Sequence, residues 1–144
     1  MKYSFLVSLL LLLVVSCSKD KFQSTPQLTF KSVSSTIVPA NTGLQIILQL
    51  TDSEGDIGDS IWVQKITTRC PSSNTLDSGK YRIPSDMPRS KNLDAEVVFT
   101  FDYAFDGLQP ACTQPDTAVF SFWLKDLAGN LSNTASTPPI IIEK

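Results

Sequence analysis

The chain has 144 residues, with 12 Lys plus Arg against 14 Asp plus Glu for a formal net charge of −2, and it contains no histidine. That length supports one domain with its own core and not two, and the near balance of charge offers no footprint for nucleic acid. Lack of histidine excludes imidazole relays, Ser-His-Asp and Cys-His nucleophiles and His-ligated zinc, and no other matched nucleophile or acid/base pair stands out, so a noncatalytic role is expected.

At the N-terminus, Lys2 precedes an apolar run from Phe5 to Val15, which ends in Val14-Val15-Ser16-Cys17. A spanning helix needs roughly 20 apolar residues, and this run is stopped by Ser16, Ser18, Lys19 and Asp20. The segment resembles a bacterial lipoprotein signal peptide with its lipobox, the competing readings being a plain secretory signal or one anchoring helix. The resemblance implies removal of residues 1–16, acylation of Cys17, a tether over 17–25 and a folded domain over 26–144. Such a chain is held to a membrane without spanning it. Fully extended at about 3.4 Å per residue, Ser18 to Thr25 reaches on the order of 27 Å, so the domain stays near the lipid surface.

Beyond the tether the pattern is one of strands and turns. Residues 27–33 alternate through Leu28, Phe30 and Val33, and Pro39, Asn41 and Gly43 then break the chain. Over 43–51, Leu44, Ile46, Leu48 and Leu50 recur at period two, the signature of a half-buried strand. Further strands are expected at 61–68, briefly at 81–83, at 94–103, at 117–125 and at 133–142, with 71–93 otherwise a polar loop. Short strands separated by turn clusters predict an all-β fold, an antiparallel β-sandwich of about seven strands of the Ig-like or fibronectin-III-like kind.

With Cys17 acylated, Cys70 and Cys112 remain, and in an exported domain they read as one disulfide, two buried free thiols being the alternative. In the proposed topology the strands at 61–68 and 117–125 are antiparallel neighbours. Cys70 just after the first and Cys112 just before the second then fall at one pole, joining two loops without crossing the core.

The same topology brings two distinctive loops together at the opposite pole. One is Thr51-Asp52-Ser53-Glu54-Gly55-Asp56-Ile57-Gly58-Asp59; the other is Lys125-Asp126-Leu127-Ala128-Gly129-Asn130. Carboxylates at this density repel unless they are solvated or share a cation, and calcium prefers hard oxygen ligands. Asp52, Glu54, Asp56, Asp59, Asp126 and Asn130 are therefore candidate calcium ligands. An EF-hand is excluded, because its twelfth position would hold Val63 and not a bidentate Glu. The alternative is that the glycines and Asn130 serve tight turns while the acids face water.

The segment Asp-x-Glu-Gly-Asp-Ile-Gly, with Asp126-x-Ala-Gly-Asn130 and then Ser132-Asn133, resembles small Ig-like lipoproteins abundant in Bacteroidetes. That resemblance implies architecture and an envelope location, and no activity. By similarity to Gram-negative lipoprotein sorting, Ser18 after the acylated cysteine implies the outer membrane, with the periplasmic face or the cell surface left open. Asp59-Ser60-Ile61 and Asp116-Thr117-Ala118 are similar to the short O-glycosylation motif of that phylum.

Trp62 and Trp123 complete the candidates. If Phe120, Phe122 and Leu124 face the core, Trp123 faces outward, and Trp62 on the neighbouring strand can lie beside it as a sugar- or protein-binding surface. A core tryptophan at position 62 is the competing reading. The functional expectation is a noncatalytic, lipid-anchored outer-membrane protein with an envelope protein partner. The alternative is a carbohydrate-binding surface lipoprotein that uses calcium.

Overall fold

The computed structural model describes residues 23–70 and 79–144. The signal segment and Cys17 lie outside them. No helix among the described residues is long and apolar enough to cross a membrane.

Among the described residues nine strands follow in chain order: β1 Gln27–Val33, β2 Ile37–Val38, β3 Leu44–Asp52, β4 Ile57–Thr67, β5 Gly79–Arg82, β6 Leu93–Phe101, β7 Asp116–Asp126, β8 Ala135–Ser136 and β9 Ile140–Ile142. They form two layers. One sheet has the order β1-β3-β6, and the other the order β2-β9-β7-β4-β5 with β8 also on β7. This is an Ig-like β-sandwich, antiparallel throughout except for the β2–β9 pair.

Period-two patterning explains the layering. Leu44, Ile46, Leu48 and Leu50 of β3 and Phe120, Phe122 and Leu124 of β7 are all fully buried, as their alternation requires. Ring contacts join the sheets: Phe99 lies 4.8 Å from Phe122 and Phe101 lies 5.2 Å from Phe120, centroid to centroid. Each such side chain contributes roughly 1.5–3 kcal/mol when fully buried, so this aromatic seam is a principal source of cohesion. Asn133 adds a polar clamp between the layers, accepting from the Leu28 N–H and donating to the Leu28 carbonyl.

Three expectations about the strands need correction. The strand expected at 61–68 begins at Ile57, after a register irregularity between Ile57 and Ile61, so Asp59 belongs to a strand and not to the acidic loop. The strand expected at 133–142 is two short pieces, because Pro138 and Pro139 supply no N–H to a ladder. The two-residue β2, pinned beside β9, lies just before the turn at Pro39, where no strand was expected. These changes raise the count from about seven strands to nine.

The expected disulfide is present. Cys70 and Cys112 are bonded with their Cα atoms 5.8 Å apart, and the bridge joins loops at one pole. Asp116 braces the same pole, its carboxylate accepting from the N–H groups of Arg69, Cys70 and Thr117.

Candidate functional site

The two distinctive loops do meet at the other pole. The Leu127 N–H donates to the Asp56 carbonyl at 2.8 Å, and Ile57 pairs with Asp126. Two glycines of the acidic segment make this approach feasible. Gly55 has φ +69°, and a Cβ there would stand 2.1 Å from the Ser90 carbonyl oxygen. At Gly58 a Cβ would stand 2.4 Å from the Lys125 carbonyl oxygen. Both are positions where only glycine lets two backbones touch.

The six candidate calcium ligands do not converge on one point. Glu54, Asp59 and Asn130 are exposed. Asp59 accepts from the Ser60 hydroxyl and pairs with Lys80 at 3.8 Å, and these contacts hold its carboxyl below the usual range, the Ser60 hydrogen bond most of all. Asp126 turns inward, accepting from the Asn130 N–H and side-chain amide at 2.7 Å each, which closes the hairpin. Among the described residues no group of three or more carboxylate or thiol side chains could hold a metal ion.

Asp52 and Asp56 are different. Asp52 is 0% exposed; one of its oxygens accepts from the Gly55 N–H at 2.6 Å, and the other is buried without a hydrogen-bond partner among the described residues. One oxygen of Asp56 is buried and unpartnered as well. Burial raises the Asp52 carboxyl above its usual range, and the nearby charges of Asp56 and Asp126 push the same way, against the lowering effect of the Gly55 hydrogen bond.

The tryptophans occupy a separate surface. Trp62 and Trp123 are direct cross-strand partners on β4 and β7, and both are half-buried. Their chain neighbours Ile61, Val63, Phe122 and Leu124 fill the core, so the core reading of Trp62 fails and both indoles stand on the outer face of the larger sheet. Lys80, opposite Trp62 on β5, places its Nζ 5.7 Å from the Trp62 ring centroid. The next row carries Gln64 opposite Ser121, and the Ser121 hydroxyl shares a 3.0 Å hydrogen bond with Ser136 of β8. The result is a short aromatic platform with donors and acceptors along its border.

Sequence reasoning missed a third feature, a cleft of about 560 Å³ at the open side of the sandwich between β5, the 83–88 segment and β6. Ile61, Tyr81, Ile83, Met87, Val97 and Phe99 line it. Its signal was weak, since its walls come from a loop and two edge strands distant in sequence. The two O-glycosylation-like tripeptides lie within or across the edges of β4 and β7, and the Ser60 side chain is buried.

Comparison with known proteins finds no matching family model and no matching curated protein. Among solved structures, the chain is similar to a Niemann-Pick type C2 protein from Japanese carpenter ant, at 10% identity and TM-score 0.46 over 90% of this chain and 100% of that one. It is also similar to the sporulation control protein Spo0M from Bacillus subtilis, at 12% identity and TM-score 0.44 over 85% of this chain and 51% of that one. A CARDB domain in complex with di-metal ions from Pyrococcus furiosus aligns at 10% identity and TM-score 0.35 over 90% and 97%. None of these likenesses bears on what the chain binds.

Proposed function

We propose that the chain is a noncatalytic, lipid-anchored protein of the outer membrane that presents its Ig-like sandwich to a protein partner in an envelope assembly. The observation that carries this reading is the Trp62–Trp123 pair, two adjacent indoles left half-exposed on a sheet whose inner face is fully occupied. Aromatic side chains that keep one face open are the usual anchors of a binding surface. Crosslinking in native membranes, followed by identification of what is attached, tests the proposal. A defined envelope protein should be captured, and Trp62→Ala with Trp123→Ala should abolish capture while circular dichroism shows the domain still folded. Recovery of the monomer alone would count decisively against it.

A second reading, carbohydrate binding, is favoured by the polar border of the platform, where Lys80 and Gln64 flank the indoles. Tryptophan fluorescence across a glycan panel should then respond to one sugar class. In this reading calcium would bind at the other pole, where Asp52 and Asp56 each keep one buried oxygen without a hydrogen-bond partner among the described residues. A ligand that binds only the native state raises its stability, so millimolar Ca²⁺ should lift the melting temperature above that in EDTA, and Asp52→Asn should remove the difference. An identical melt in both buffers defeats the calcium proposal.

A further inference from the structure

The pole that carries the acidic loop is also where the chain enters the domain. The Ser53 N–H donates to the Gln23 carbonyl, and β1 begins with Gln27 opposite Thr51. From there β1 runs toward the disulfide pole, where the last strand ends: Ile142 pairs with Asp116, and the Lys144 Nζ donates to the Pro110 carbonyl. Any anchor at Cys17 therefore pulls on the 53–56 end of the sandwich. Gln23 stands six residues after Cys17, which limits their separation to roughly 20 Å at full extension.

That end displays two exposed apolar side chains among the described residues. Leu127 is 66% exposed and Leu131 55% exposed, on the two sides of one tight hairpin closed by Asp126 and Asn130. The hairpin is held rigidly against the acidic loop through the bond from the Leu127 N–H to the Asp56 carbonyl. Exposed cations lie at the same pole. Lys125 precedes the hairpin, and Arg89 and Lys91 flank Ser90 and Asn92, which touch Gly55 and Ser53. Of the pole's carboxylates, Asp52 and Asp126 are turned inward, while Glu54 and Asp94 face water. Two exposed leucines with Lys125 beside one of them, at the pole where the tether enters, suit a phospholipid surface, where the apolar groups enter the acyl boundary and a cation meets phosphate.

We propose that the 126–131 hairpin docks on the bilayer that holds the anchor, with Leu127 and Leu131 inserted and Arg89, Lys91 and Lys125 against phosphates. This rests on the lipid-anchored reading above. A short tether makes the contact intramolecular, so a weak interaction that would not hold a free domain is enough once the anchor is in place. The docked domain stands with its acidic pole on the lipid, its disulfide pole outermost and the tryptophan face on its flank, accessible to a partner.

The test uses the full acylated chain in vesicles of phosphatidylethanolamine and phosphatidylglycerol. An environment-sensitive fluorophore is attached through Ala128→Cys, which leaves both leucines in place, and in a second protein through Gln109→Cys at the other pole. Emission at 128 should shift to the blue and be quenched several-fold more by spin-labelled lipid than emission at 109. Leu127→Ser with Leu131→Ser should reduce it to the level seen at 109. Mass spectrometry of membrane-extracted protein reads the anchor separately. If Cys17 carries no acyl chain, the anchored reading fails and takes docking with it. If Cys17 is acylated but position 128 is as aqueous as 109, or if its signal survives loss of both leucines, docking alone is overturned.

Discussion

Lys65 occupies a core position on β4, 1% exposed, between the buried Val63 and Thr67. Its ammonium is satisfied by the carbonyls of Gly107 at 2.9 Å and Leu108 at 2.8 Å, so it fastens the 102–110 loop to the sheet. Burial pushes its pKa down to about 8, with the charge of Asp116 partly opposing the shift. Because the folded value lies below the usual 10.5, the unfolded chain binds more protons between those limits, and stability should rise with pH from about 8 upward. Urea unfolding of the wild type compared with Lys65→Met between pH 7.5 and 10 checks this, the difference between the two curves growing in favour of the wild type as pH rises. Glycine gives a second residue-scale prediction. Gly58→Ala would drive a methyl into the Lys125 carbonyl and should cost about 2–4 kcal/mol in denaturant unfolding, because the obstacle is backbone and cannot rotate away. At this scale the sequence was only partly readable. Gly55 and Gly58 announced a turn but not which backbone each must admit, and nothing local to Lys65 showed that loop carbonyls 42 and 43 residues away would receive it.

Among the elements, β3 and β7 were legible because one face of each is wholly buried, and a slip of one residue would turn every leucine or phenylalanine to water. The start of β4 was not, since Gly58 and Asp59 read as loop and fall in the register irregularity between the Ile57–Asp126 and Ile61–Leu124 pairs, where the Asp59 carbonyl accepts from the Ile83 N–H. The last strand was overextended because Ile140, Ile141 and Ile142 obscure the effect of two preceding prolines. Of the candidate site, the outward face of Trp123 followed from the period of β7, and the neighbouring position of Trp62 from the pairing of two strands. The dispersal of the acidic candidates did not, because it depends on Asp126 preferring the Asn130 amide. The disulfide also belongs to this scale, as it ties β4 to β7 across 42 residues. Replacing Cys70 and Cys112 with alanine should lower stability by roughly 4 kcal/mol on loop-closure entropy, measured by urea unfolding, with less lost to the extent that Asp116 still holds Arg69 and Cys70 in place.

For the whole molecule, the two poles have different characters. One is fastened by a covalent bridge, the carboxylate of Asp116 and the C-terminal strand, while the other gathers the chain entry, two tight turns and exposed leucines. The paired tryptophans lie between them on the broad side of the larger sheet. The placement of β1 has a mechanical consequence. Gln27–Val33 is hydrogen-bonded along its length to β3, and its N-terminal end points out of the entry pole. Tension drawn through that end runs along the strand, so the ladder from Gln27 to Val33 is loaded in shear and its bonds resist together. A sandwich tethered this way should withstand drag on its outer end far better than one hung from a strand that could be peeled away bond by bond.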